Sequence, residues 1–370
     1  PKPKTIKEQD GQMLLCHSTH IVMTKEVAET EMHAAKRLQE AIRQETGLIL
    51  PFSVGEVREG DLSLGIAKTL PEQTYEITID EKGGQISGGD GAGVLYGVET
   101  FCQIVQQCGG ILPCVQIQDA PDMPNRGYYF DQTRGRVLKL EELKKIADRM
   151  CRYKLNQLQL YVEHTYLFRD FSEMWRDQTP LTAEEILELD SYCRERHIEL
   201  VPSLASFGHL CTLLSTKTYG DLCEMEDSWK EPFSFWNRMR YHTINVSDER
   251  SLPLIKKMIA EYMQLFSSNK FNICADETFC LGKYKSKKLA EERGVHRLYI
   301  DYVKELAQFL VENGKIPMFW GDIIWNSPEL MKELPESMIC LNWGYAPEQR
   351  EDETRAIAQT GAVQYPCPGV

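Results

Sequence analysis

The chain has 370 residues, two to three times the usual single-domain size, which implies two domains or one large barrel with an appendage. Its 42% hydrophobic and 26% charged residues exclude collagen-like, disordered and coiled-coil classes. A formal charge of -13 with no basic cluster to offset it argues against nucleic acid and anionic lipid as partners. No apolar run is long enough to span a bilayer. Residues 1–11 are polar, and position 1 is proline rather than methionine, which leaves room for a leader trimmed before it. Twelve cysteines are scattered singly with no CxxC pair, as expected of reduced, buried thiols in a cytoplasmic protein with few or no disulfides.

Along the chain, residues 13–23 read as extended. Residues 27–46 place Val27, Ala34, Ala35, Leu38, Ala41 and Ile42 at helical spacing before Gly47 closes the run. Residues 62–67 form a short strand, and 75–80 alternate, turn at 81–84 and return at 85–87 as a hairpin. A helix follows over 91–107. Its glycine-rich start lacks the lysine of a phosphate loop and follows a hairpin, so nucleotide binding is not expected. The prolines and polar residues of 119–125 mark a boundary between a small α/β domain, 1–120, and a larger one, 121–370.

In the larger part, apolar strands at 126–131, 155–162, 198–205, 271–276, 316–320, 338–343 and 362–365 alternate with amphipathic helices at 140–153, 183–196, 252–266, 295–313 and 328–334. This is the arithmetic of an α/β fold of the (β/α)8 TIM-barrel type. Seven strands are visible, so the last strand is missing from this chain, which reads as cut short. The runner-up, a doubly wound open sheet, calls for a glycine-rich turn after the first strand, where Asp131-Gln132-Thr133-Arg134 stands instead.

Functional residues of such a barrel lie at the C-terminal ends of its strands. Of four Asp-Glu pairs, only Asp276-Glu277 ends an apolar strand; adjacent carboxylates there must share a proton or have their pKa values pushed apart. The bland alternative is an ion pair with Lys283 or Lys285. Arg126 opens the first strand, where its planar fork suits either vicinal hydroxyls or a salt bridge at the domain boundary. Glu163 and His164 end the second strand, His209 follows the third, Trp320 and Asp322 end the fifth, Trp343 the sixth and Tyr365 the seventh. A lone tryptophan is ordinarily core, but two at neighbouring strand mouths beside carboxylates suit a sugar, whose C–H faces stack on aromatic rings. No HxH, HExxH or Cys/His cluster is present, so no metal is expected.

The run from Arg126 to Asp131, Phe207-Gly208-His209, Asp276-Glu277, Trp320-Gly321-Asp322 and Trp343 together resemble the family 20 glycoside hydrolases, the β-N-acetylhexosaminidases. The likeness covers nearly the whole chain, and residues 12–120 resemble the small domain preceding the barrel in that family. There are departures. Cys274-Ala275 stands where the family usually has glycine, and the second strand end reads YVEHT where the family is rich in aspartate, which makes Glu163 the candidate partner of His209. Tyr365-Pro366-Cys367 replaces Tyr-x-Asp, and the tryptophan and acid of the eighth strand are absent.

The resemblance implies retaining exo-hydrolysis of terminal, non-reducing β-linked N-acetylglucosamine or N-acetylgalactosamine through an oxazoline intermediate, with no cofactor and a glycan as partner. It implies that Glu277 is the acid, Asp276 orients the acetamido group, Tyr365 holds its carbonyl and Trp320 and Trp343 wall the pocket. Arg126 and Asp322 would bind the sugar, and His209 with Glu163 would stand behind Glu277. The competing readings are a carbohydrate-binding protein on a degenerate barrel and an acetamido-sugar hydrolase of family 84 or 123.

Overall fold

The computed structural model describes residues 1–348 and 350–369. The chain divides into two compact units: Pro1–Tyr128 with Glu141–Gln157 and Ser191–Glu199, and Tyr129–Leu140 with Leu158–Asp190 and Leu200 onward.

The first unit is built on a seven-stranded sheet of β1 (Thr5–Leu14), β2 (Ile21–Met23), β3 (Phe52–Val54), β4 (Leu62–Ile66), β5 (Tyr75–Asp80), β6 (Gly83–Gly88) and β7 (Ile111–Asp119), in the order β1-β7-β5-β6-β4-β2-β3. The β5–β6 hairpin pairs Asp80 with Gly83 and Tyr75 with Gly88. Strand β1 escapes the sequence pattern because it is an edge strand, exposed at all but two positions, so it carries no apolar alternation. The helix expected over 27–46 is two, Lys25–Thr30 and Met32–Thr46. Glu31 between them leaves helical geometry at φ -119° and ψ 26°. In the helix Gly91–Cys108 the glycines serve packing: a Cβ on Gly93 would stand 2.3 Å from the Thr74 carbonyl oxygen.

The second sheet holds β8 (Gly127–Asp131), β9 (Gln157–Val162), β10 (Glu199–Leu204), β11 (Lys270–Asn272), β12 (Ile316–Trp320), β13 (Ile339–Gly344) and β14 (Val363–Pro368), each beside its neighbour in chain order. Pairing is parallel from β10 to β14. Parallel strands in chain order with intervening helices are the expected barrel pattern, carried through seven strands. All six residues of β9 are buried, as a strand covered on both faces requires. The helix Val295–Glu312 turns Leu298, Tyr302, Leu306 and Leu310 inward. Two elements depart from expectation. Residues Pro328–Glu333 form a 3₁₀ helix, and β11 stops at Asn272 because Cys274 and Ala275 take left-handed backbone, φ 58° and 62°. Among the described residues no helix is long and apolar enough to cross a membrane.

Candidate active site

The site is built where β11 breaks off. Although the strand ends early, its continuation stays tied to its neighbours. Ile273 N–H donates to the Met318 carbonyl at 2.9 Å, and Trp320 N–H donates to that of Cys274 at 2.9 Å. The Tyr299 hydroxyl donates to the Ala275 carbonyl at 2.9 Å, and Ser206 Oγ to that of Ile273 at 2.5 Å. Glu277 is also left-handed, at φ 48°, as is His209 at φ 60°. Such backbone costs about 1–2 kcal/mol per residue and persists only where the surroundings dictate it. Gly208 is required beside it, since a Cβ there would lie 2.5 Å from the Asp276 carbonyl oxygen.

The turn brings three groups together. His209, almost fully buried, places Nε2 3.3 Å from Asp276 Oδ2 and 3.2 Å from Glu277 Oε2. Burial alone would lower the imidazole pKa, but the two carboxylates outweigh it and lift it to about 10. Burial likewise pushes Asp276 up, and His209 overrides it, holding this carboxylate below its usual range. Asp322 behaves oppositely: burial, reinforced by the charge of Asp276, raises it to about 8, although its Oδ2 accepts the Glu277 N–H at 2.9 Å. The site thus holds an imidazolium, an ionised aspartate and a neutral aspartic acid side by side. The donor atoms of His209, Asp276 and Glu277 lie within 4.8 Å of one another, close enough for a small cation. The proton on His209 already supplies positive charge at that place.

Arg126 is not among the groups gathered at this turn, which corrects the expectation that placed it in the site. Its guanidinium is committed inside the first unit, to the Lys154, Met123 and Pro124 carbonyls, Gln73 Oε1 and the Tyr96 hydroxyl, at 2.7–3.2 Å. The arginine at the mouth of β8 is Arg134. Its Nε donates to Asp131 Oδ2 at 2.6 Å and its guanidinium lies 4.7 Å from the Tyr161 ring centroid. The Asp-x-x-Arg spacing just after a strand end was its signal.

Glu163 is a second correction. It is buried and holds Arg238 Nη2 at 3.0 Å and the Tyr161 hydroxyl at 2.9 Å, so it is not the hydrogen-bonding partner of His209, although its charge adds to the upward push on that imidazole. His164 is buried too, with Nδ1 3.2 Å from the Thr212 hydroxyl.

Trp320 is buried and packs edge-on against Tyr129 with centroids 4.9 Å apart. Trp343 is half-buried, with Trp325 at 6.1 Å and exposed Tyr345 at 5.3 Å. Trp325 was not anticipated: it sits on the 3₁₀ turn Ile324–Asn326, and its Nε1 would be 3.1 Å from a Cβ on Gly321. Tyr365 pairs with Leu341 across β13–β14, two residues before the Trp343–Cys367 pair, and so shares a sheet face with Trp343. Trp325 Nε1, Trp343 Nε1, Asp276 Oδ1 and Asp322 Oδ1 are buried without a hydrogen-bond partner among the described residues. Two indole N–H groups and two carboxyl oxygens left open are what a polar ligand would satisfy.

Comparison with known proteins bears on this geometry. Residues 1–120 match the family model "Glycosyl hydrolase family 20, domain 2", and residues 124–364 match "Glycosyl hydrolase family 20, catalytic domain". A beta-hexosaminidase of Porphyromonas gingivalis is 24% identical over 361 residues, covering 88% of this chain and 45% of that protein. The chain spans less than half the length of curated relatives that it matches. In fold it is similar to the beta-N-acetylhexosaminidase of Bacteroides fragilis, with TM-score 0.80, 18% identity and 99% and 74% of the two chains covered. It is also similar to a mutant Streptomyces plicatus beta-hexosaminidase in complex with its product GlcNAc, with TM-score 0.81, 19% identity and 98% and 73% covered.

Proposed function

The chain belongs to glycosyl hydrolase family 20, and from that premise we propose that it removes terminal, non-reducing β-linked N-acetylglucosamine or N-acetylgalactosamine from glycans with retention of configuration. The observation that carries this reading is the contact of one buried imidazole with both Asp276 and Glu277. In it, residues 121–370 do the chemistry and residues 1–120 form an accessory domain. The twelve cysteines, all free thiols, support a cytoplasmic location.

The substrate's 2-acetamido oxygen attacks the anomeric carbon while Glu277 protonates the leaving oxygen. Asp276, held ionised by His209, accepts the acetamido N–H and stabilises the positive charge that grows on the oxazolinium ring. Glu277, left as a carboxylate, then takes a proton from the water that attacks the anomeric carbon and opens the oxazoline, which restores the acid. His209 Nε2, 3.2 Å from its Oε2, keeps its own proton and holds the carboxylate in place. Arg134 faces the ring hydroxyls, and neutral Asp322 can donate to one as well as accept. Trp325, Trp343 and Tyr345 supply the apolar wall, and Tyr365 is the candidate to hold the acetamido carbonyl.

Hydrolysis of a chromogenic N-acetylglucosaminide tests the reading. Asp276→Asn should lower turnover by about two to three orders of magnitude, as loss of one stabiliser of developing charge does. Glu277→Gln should suffer most on poor leaving groups and least on activated aryl glycosides. A thiazoline mimic of the intermediate should inhibit the wild type far more strongly than Asp276→Asn. A trapped glycosyl-Asp276 adduct, or a thiazoline that binds no better than N-acetylglucosamine, would sink the substrate-assisted mechanism.

A further inference from the structure

We infer that three exposed aromatic residues beside the acid, Phe279, Phe235 and Trp236, form a stacking platform for the saccharide that leaves when an oligosaccharide substrate is cleaved. This rests on the hydrolase reading above.

The long connection after β10 turns its rings outward: Phe235 is 58% and Trp236 64% exposed. The segment is nevertheless held. Cys223 bridges to Ile244, Glu224 N–H donates to the Thr243 carbonyl at 2.9 Å, and Cys223 Sγ donates to that of Tyr241 at 3.2 Å. Further along, Arg238 reaches Glu163 at 3.0 Å, and Arg134 Nη1 donates to Met239 Sδ at 3.1 Å. A segment fixed at so many points, with its large rings outside, is a surface already built for a ligand.

A chain of contacts joins this surface to the acid. Phe279 N–H donates to the Glu277 carbonyl at 2.7 Å, and the Phe279 ring is 42% exposed. The next residue, Cys280, donates through Sγ to the Arg240 carbonyl at 3.0 Å. The Arg240 guanidinium lies 5.3 Å from the Trp236 ring centroid, and the Phe235 and Trp236 rings meet edge to face at 6.0 Å. Because Glu277 delivers its proton to the leaving oxygen, the departing sugar lies on the side of Glu277. The contacts through Cys280 and Arg240 lead from Glu277 to the Trp236 and Phe235 rings. A pyranose ring, with C–H groups on its flat face and hydroxyls at its rim, is the occupant that suits rings exposed to water.

The test uses the full-length protein and compares kcat/KM for an N-acetylglucosamine-terminated trisaccharide with that for the β-azide of the same sugar, whose leaving group is too small to reach the platform. Trp236→Ala and Phe235→Ala should each lower the trisaccharide-to-azide ratio roughly three- to tenfold, the size of one aromatic contact. Ratios within about twofold of wild type would overturn the inference. So would variants that keep the ratio but turn a dimer into a monomer by light scattering, since the face would then serve self-association. If the wild type cleaves neither substrate, the hydrolase reading fails and the platform falls with it. Azide turnover alone therefore separates the two failures.

Discussion

At the scale of single residues, the site is a problem of distributing few protons among crowded acids. His209 keeps its proton to about pH 10, so its ionic contribution to folding is complete below its ordinary value of 6.5 and fades as pH rises toward 10. Asp322 holds a proton in the folded state up to about 8 that the unfolded chain releases above 3.8. Folded protein therefore binds the extra proton between those values, and stability declines as pH rises through them. Asp322→Asn should flatten the dependence of Tm on pH below about 8 while leaving the decline on the alkaline side that belongs to His209. A Tm profile as steep as that of the wild type would contradict this assignment. The two arginines make a second residue-scale test. Arg126→Ala removes hydrogen bonds internal to the first unit and should lower Tm, with KM for an aryl N-acetylglucosaminide nearly constant. Arg134→Ala should raise KM and lower kcat. The reverse pattern, measured by steady-state kinetics and thermal melts on both variants, would restore Arg126 as the sugar ligand.

At the scale of elements, the decisive feature is the turn that replaces the end of β11. Cys274, Ala275 and Glu277 all take backbone that L-residues resist, and the turn is retained by Tyr299, Ser206 and the β12 backbone. Ala275→Gly relieves one such penalty at the expense of some chain entropy and should stabilise the protein by up to about 1 kcal/mol, read from denaturant midpoints. Gly208→Ala should do the opposite, destabilising by about 1–3 kcal/mol and lowering kcat, because its Cβ displaces the Asp276 carbonyl. If Gly208→Ala were as stable and active as the parent, the close approach that shapes the site would be wrong. Glu224 works on the same scale: its buried carboxylate accepts from Ser286 N and Oγ at 3.0 and 2.7 Å and from Tyr284 N at 3.2 Å, joining the segment after β10 to the one after β11.

At the scale of the whole molecule, thiol chemistry gives the accessible test. Eight of the twelve cysteines, residues 102, 114, 151, 193, 223, 274, 280 and 340, are buried, and none of the twelve is in a disulfide. Burial pushes the Cys102 and Cys340 thiols upward, which keeps them protonated and slow to react. Cys16 is exposed and held at about 7 by the hydroxyls of Ser18 and Thr19, so it should be the first to be alkylated. Native, unreduced protein should therefore show fast labelling at Cys16, and denaturation should release all twelve thiols. Blocked thiols after denaturation without reductant would overturn both the disulfide-free structure and the proposed cytoplasmic location.

What the sequence determined by itself was what repeats locally. Strand and helix periods along residues 126–365 announced the barrel pattern, and the position of Asp276-Glu277 after an apolar run marked the site, because an address at a strand end follows from the chain alone. The family likeness came from the same strand ends. Tertiary structure decided who pairs with whom. Glu163 meets Arg238 from 75 residues away, Arg126 is bonded within the first unit, and Trp325 arrives on a short 3₁₀ turn with no periodic signal. The proton balance of the site was equally hidden, since it depends on how deeply His209 and Asp322 are buried and on which charges surround them. Periodicity records which face of an element is apolar, whereas the partner of a polar group is set by the packing of segments far apart in the chain.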